Sequence, residues 1–179
     1  MDEPVRGQRG PAPGPLRVVQ EFLNSTWLRT GEDDWRTPAD LGRWLAERDL
    51  LPTGSQVTGA DVRRAVRLRA DLRSVLAGEA EATLEPLPLH AVPAGDGRLR
   101  LEASTTGIEA ALARVVATAV SLPATDWARL KLCAAPDCRW AFYDSSRNRS
   151  ATWCNMNVCG ARAKSRAYYK RHRAEGEER

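Results

Sequence analysis

All four cysteines of the chain lie in one stretch, as two pairs, Cys133/Cys138 and Cys154/Cys159. Four residues separate the members of each pair, and fifteen separate the pairs. No other feature restricts the fold as strongly. Two short cysteine loops that approach each other aim four sulfurs at one point, and a structural zinc site takes four ligands on a tetrahedron, with thiolate among the favoured ones. A segment this short cannot bury enough apolar area to fold alone, so a metal would supply much of its folding energy. The alternatives are an iron–sulfur cluster, disulfides or plain buried thiols. No apolar export signal opens the chain, and no run nears the roughly 18 apolar residues of a membrane span. A cytoplasmic protein without a membrane segment is therefore expected. Thiols stay reduced there, and cysteines at paired spacing hold metal more often than they form disulfides. With all four positions filled by protein, none is left for water. The expectation is one structural Zn2+ per chain and no catalytic metal.

The residues around and after the cysteines are basic. The chain carries a formal net charge of +4, yet from Lys131 to Arg173 ten Lys/Arg stand against two acids, Asp137 and Asp144. The remainder is therefore mildly acidic, and a basic end on an acidic body points to a polyanion partner. After Cys159, the residues Arg162, Arg166, Lys170 and Arg173 recur at steps of three or four, close to one helix face, with Lys164 and Arg171 beside them. Arg147 and Arg149 fall in a Ser/Asn/Arg turn, and Tyr143, Tyr168 and Tyr169 interleave with the cations. Such side chains neutralise phosphates, and an arginine on a helix in a major groove also reads guanine. DNA is the expected partner of Arg147, Arg149, Arg162, Lys164, Arg166, Lys170 and Arg173, while RNA or an acidic protein stays open as an alternative. The local structure expected here is a turn at Pro136-Asp137, a β-hairpin over Trp140 to Trp153, and a helix capped by Asn155 or Asn157 that runs to about Arg173.

The preceding residues read as a mainly helical domain with one short hairpin. Residues 1–15, with four prolines and three glycines, are expected to be a disordered tail. Leu16 to Leu28 has a helical apolar spacing through Leu16, Val19, Phe22 and Trp27. Asn24 interrupts it, as a helix-end hydrogen bond or, speculatively, as a small-molecule contact. Thr37-Pro38 with Asp40, and Thr58 with Asp61, are helix starts of the capping-box type. The second helix presents Val62, Ala65, Val66, Arg69, Leu72 and Leu76 along its seam, with Arg63, Arg64, Arg67 and Arg73 mostly on a solvated face. Asp96-Gly97, between the runs Leu87–Val92 and Arg98–Glu102, is a hairpin signal. Thr105 or Thr106 opens a helix through Ile108, Leu112, Val115 and Val116. The expected architecture is thus α+β: a tail (1–15), a helical domain (16–128) that senses a ligand or pairs two copies, a treble-clef-like zinc finger with β-hairpin and basic helix (129–173), and a C-terminal tail (174–179). No phosphate loop, nucleophile elbow or His-Glu-x-x-His motif occurs, so no enzymatic activity is expected.

Specific residues carry a resemblance. Leu132-Cys133, Pro136-Asp137-Cys138-Arg139-Trp140, Phe142-Tyr143-Asp144, Ser146-Arg147-Asn148-Arg149-Ser150, Trp153-Cys154, Met156, Cys159-Gly160, Arg162 and Lys164 together resemble the CGNR zinc finger. Phe22, Asn24, Thr26, Trp27, Asp40, Leu41, Trp44 and Leu45 are similar in kind and order to the opening of the ABATE domain, its N-terminal companion. The resemblance implies a bacterial, mostly actinobacterial, stress-linked transcription regulator that binds zinc through the four cysteines and, by implication, DNA. It departs at one position of the name motif, where Ala161 follows Gly160 in place of asparagine.

Overall fold

The computed structural model describes residues 9–177, apart from the side chains of 171 and 173–177. Residues 1–8 of the expected tail lie outside this range. The elements run α1 (Leu16–Leu23), β1 (Thr26–Trp27), β2 (Glu32–Asp33), α2 (Pro38–Ala46), α3 (Gly59–Ala77), β3 (Leu89–Pro93), β4 (Leu99–Ala103), α4 (Gly107–Ser121), α5 (Ala124–Trp127), β5 (Leu130–Leu132), β6 (Ala141–Tyr143), a wide π-type turn at Met156–Gly160, and α6 (Ala161–Glu177). The fold is α+β: helices α1 to α4 form the body, and three two-stranded antiparallel hairpins, β1-β2, β3-β4 and β5-β6, lie on and beside it.

Local chemistry sets the helix starts. Thr37 and Thr58 each accept from the backbone amide three residues on, and Asp40 and Asp61 return the bond to the threonine amides, so both expected capping boxes form. Gly78 closes α3 in the left-handed conformation (φ 71°). The α3 seam differs from its apolar spacing at one place: Ala65, Leu68, Arg69 and Leu72 are buried, whereas Val66 is 37% exposed. The expected Asp-Gly hairpin forms, with His90 opposite Glu102.

Helix α1 is shorter than the spacing suggests. It stops at Leu23, and Trp27 enters β1, where it pairs with Glu32. The turn is held from both sides. Asp33 of β2 forms a part-buried ion pair with the buried Arg69 of α3, and Arg69 also donates to Ser25 Oγ at 2.8 Å and lies over the Trp35 ring. Phe22, Trp35 and Trp44 pack as a trio with ring centroids 4.9 to 5.8 Å apart. They occupy the centre of an apolar core that also takes Leu16, Val19, Leu41, Leu45, Leu72, Leu112 and Val115.

The span 9–15 lies against this core. Ala12 is buried, and its amide donates to Gln20 Oε1 at 2.6 Å, while Arg9 donates to Trp153 O at 3.0 Å. The chain also shows no packing gap near 128/129. Strand β6 alternates: Ala141 belongs to the body's core, whereas Phe142 belongs to a second cluster with the four cysteines. Leu130 and Leu132 of β5 face the body in the same way. At the other end, α6 runs through the expected C-terminal tail as far as Glu177.

Candidate metal centre and nucleic-acid interface

The first cysteine pair sits at the end of the β5-β6 hairpin. Leu130 pairs with Tyr143, Lys131 with Phe142 and Leu132 with Ala141, and Cys133 N donates to Trp140 O at 2.9 Å. This corrects the expected local order. Trp140 to Tyr143 does not open a hairpin after the knuckle; it pairs backward with Leu130–Leu132, and residues 144–153 form a loop. The knuckle is tight: Cys138 N and Arg139 N both reach Ala135 O, and Arg139 is left-handed (φ 50°). The second pair straddles the wide turn at Met156–Gly160. Asn155, as expected, caps it, its side-chain oxygen accepting from the amides of Asn157 and Val158 at 2.9 and 3.1 Å. Gly160 leaves little room: an added Cβ would stand 2.6 Å from Met156 Sδ and 3.2 Å from Trp153 Cδ1.

These turns bring all four sulfurs within 4.8 Å of one another, and all four cysteines are buried and free of disulfides. Cys138 and Cys154 Sγ are 3.6 Å apart, and Cys154 and Cys159 Sγ 3.8 Å. Thiolates bound at about 2.3 Å on a tetrahedron stand about 3.8 Å apart, so the donor set fits a tetrahedral metal. The protonation pattern fits as well. The Cys138 and Cys154 thiols, with the amides of Cys154 and Ala135, hold Cys133 well down as a thiolate, while Cys133, Cys138 and burial push the Cys154 thiol far up. Without a cation the crowded set cannot ionise fully; a divalent cation removes that obstacle. A bound metal would be held by Cys133, Cys138, Cys154 and Cys159, and would supply cross-linking of two loops rather than reaction chemistry.

Two side chains of the body reach this centre from far away in sequence. Arg29, in the β1-β2 turn, donates from Nη2 to Cys159 Sγ at 3.2 Å, and its Nε stands 3.5 Å from Asp137 Oδ2. Burial opposes its charge, but the Cys159 sulfur together with Cys138 and Asp137 outweighs burial and raises its pKa. Arg73 donates from both terminal nitrogens to Arg139 O, at 3.1 and 2.9 Å. Burial, then Arg69 and Arg139, bring its pKa down to about 10. The sequence placed Arg73 on a solvated face. The knuckle covers it instead, and no local pattern marks a helix arginine whose partner lies 66 residues on. Arg29 carried no signal at all.

The cations expected to meet nucleic acid fall into two groups. Arg147 and Arg149 are exposed on the 144–151 loop. That loop is built around Asp144, which is 0% exposed and accepts from Lys131 Nζ (2.8 Å), Ser146 Oγ (2.6 Å), Ser146 N (3.1 Å) and Ala151 N (2.9 Å). Burial works against its carboxylate, but these donors hold the pKa well below the usual carboxylate range. Arg162, Lys164, Arg166 and Lys170 are exposed on α6, with Tyr168 and Tyr169 53% and 72% exposed among them. Arg162 is part-engaged, its Nη1 standing 3.6 Å from Asp137 Oδ2. Arg173 lies on the same helix, but outside the described side chains. Asn24 joins none of these sites. Its Nδ2 donates to Ala141 O at 2.7 Å and its Oδ1 accepts from Ala141 N at 2.8 Å. The amide thus acts as one more strand residue beside β6, which corrects its reading as a small-molecule contact.

Family comparisons agree with this division of labour. The model for the CGNR zinc finger matches residues 129–172. The ABATE model, described as a putative stress-induced transcription regulator, matches residues 16–135, well over half of the chain. The two matches overlap on 129–135, which holds β5 and the first cysteine. No curated protein matches the chain.

Proposed function

This chain belongs to the ABATE family and ends in a CGNR zinc finger, and from that premise we propose that it is a DNA-binding transcription regulator, not an enzyme, with one structural zinc ion. The observation that carries the reading is the junction at Cys159. A buried four-thiol centre runs within one turn into an exposed helix bearing Arg162, Lys164, Arg166 and Lys170. The metal fixes where that helix and the Asp144-centred loop stand, and the arginines and lysines meet phosphates. The body's proposed part is sensing or pairing. What supports sensing is an open groove of about 590 Å³ at the seam of body and finger, whose lining includes Leu76, Trp127, Leu132, Arg139, Arg149 and Thr152. An effector seated there would touch both parts. Among the described residues no helix is long and apolar enough to cross a membrane, and we assign the protein to the cytoplasm.

RNA is the second reading, favoured by the exposure of Tyr168 and Tyr169, which can stack on unpaired bases. One set of measurements separates the possibilities. Metal analysis should return one zinc per chain, and an iron chromophore would refute the zinc centre. Duplex binding should weaken steeply with salt, with log K falling by about 0.9 per neutralised phosphate against log[salt]. The double substitution Arg162→Ala/Arg166→Ala should flatten that slope by about two phosphates with zinc retained. A duplex affinity indifferent to salt would sink the DNA reading, and preferential recovery of RNA from cells would replace it with the second.

A further inference from the structure

Arg29, in the turn between β1 and β2, reaches a cysteine of the metal centre from the body. Its side chain is 10% exposed, its Nη2 is 3.2 Å from Cys159 Sγ, and its Nε is buried without a hydrogen bond and aimed at Asp137. The hairpin that carries it is anchored to the opposite side by the Asp33–Arg69 pair on α3. The backbone that carries Arg29 is therefore fixed by the body, while its guanidinium meets Cys159 and Asp137 of the finger.

We propose that Arg29 is a positioning residue of the metal centre, supplied by the body, whose guanidinium neutralises and hydrogen-bonds the Cys159 thiolate and so sets how tightly the finger keeps its metal. The chemistry requires such a group. Four thiolates around a divalent cation leave a net charge of −2 in a buried site, and uncompensated buried charge is costly. An N–H aimed at a ligating sulfur withdraws electron density from it, making the thiolate less prone to protonation and to attack by electrophiles. Groups of this kind around metal ligands change metal affinity by roughly 10–100-fold when removed. Arg73 complements it from α3 by binding Arg139 O on the first knuckle. Asp137 extends the arrangement: it lies between Arg29 at 3.5 Å and Arg162 of α6 at 3.6 Å, so the same body arginine meets the metal site directly and the start of the basic helix through Asp137. Metal retention would then depend on the state of the body, and a movement of the β1-β2 turn would loosen the metal.

The inference rests on the four cysteines holding zinc, and it is tested on the full-length zinc-loaded chain by transfer of the metal to a chromogenic chelator. Arg29→Ala and Arg29→Gln should release zinc roughly 10–100-fold faster than the parent, and Arg29→Lys, which keeps charge but loses the fork, should fall between. After cobalt substitution, the sulfur-to-metal charge-transfer band of Arg29→Ala should move to lower energy, because the Cys159 thiolate has lost its charged hydrogen-bond donor, and Arg29→Gln, which keeps an N–H but no charge, should move it less; a residue that merely packs would leave it in place. If Arg29→Ala does not fold, the shorter, neutral glutamine and the lysine variants decide. Parent-like release with an unmoved cobalt band in any folded neutral variant overturns the inference. A parent chain that holds no zinc would instead overturn the zinc reading beneath it.

Discussion

Body and finger are held together by different physics, and they share a strand. The body buries a continuous apolar core around Phe22, Trp35 and Trp44. The finger's cluster has six buried residues, four of which are cysteines. Burial of apolar surface accounts for the first, at about 25 cal/mol per Å². It cannot account for the second, where only Phe142 contributes a large buried apolar side chain. What the finger lacks in apolar area the metal must supply. The two regimes meet on β6, whose alternate residues serve alternate cores. A perturbation of the metal is thus expected to travel into the body.

The largest expected effect tests that shared strand. Removing the metal with a strong chelator, or changing Cys154→Ser, should unfold the finger, since structural zinc contributes on the order of 10–16 kcal/mol in small fingers. The body should then melt at a lower temperature, because Leu130, Leu132 and Ala141 lose their places in its core. Thermal melts followed by far-UV and near-UV circular dichroism should show a single lowered transition. A body transition that stays at the parental temperature after chelation would separate the two parts and break the comparison.

A smaller effect is expected at the seam itself. Asn24→Ala removes both of its hydrogen bonds to the backbone of Ala141, leaving the Ala141 amide without its partner and the carbonyl with Gln20 Nε2 at 3.3 Å. The cost should be about 1–3 kcal/mol, read as a shift in the denaturant midpoint, together with faster zinc loss. Zinc loss at the parental rate would confine Asn24 to the body alone.

The comparison extends to acid. Asp144 has a folded pKa depressed below its unfolded value of about 3.9. A depressed carboxylate contributes stability that is fully present above the unfolded pKa and is lost as pH falls through the window toward the folded value. The stability gap between the parent and Asp144→Asn should be widest near neutrality and should close progressively below about pH 4. A gap that persists unchanged to pH 3 would show that the carboxylate's charge does not hold the 144–151 loop.

What the sequence disclosed and what it withheld follow one rule. Capping boxes at Thr37/Asp40 and Thr58/Asp61, the Asp-Gly hairpin and the four-cysteine centre are local, or repeat at fixed spacing, and each was legible. The seam was not. Trp140 to Tyr143 has the same alternation whichever strand it pairs with, so the choice of Leu130–Leu132 depended on the body's core needing Leu130 and Ala141. Asn24 resembles any helix-end amide until the backbone it imitates is beside it. Arg73 and Arg29 were invisible for a related reason: an arginine outside an apolar seam reads as solvated, and only tertiary contact reveals that a carbonyl or a thiolate awaits it. The contacts the sequence withheld concentrate at this seam, where two locally consistent halves impose on each other constraints that neither encodes alone.

The smallest expected effect lies where the family pattern and this chain part. Ala161 opens α6 directly after Gly160 and is exposed. Asparagine there is a poorer helix former than alanine, so Ala161→Asn should cost up to about 0.7 kcal/mol, small enough to leave the metal centre untouched. Ala161 is exposed where all four cysteines are buried, so an asparagine at this position is expected to meet a partner and not the metal. Zinc release should remain parental in Ala161→Asn, while duplex affinity changes with an unaltered salt slope, because an amide adds a hydrogen bond but no charge. Faster or slower zinc release in this variant would move the family asparagine from the binding face to the metal centre, and with it the border between what the metal holds and what the helix contacts.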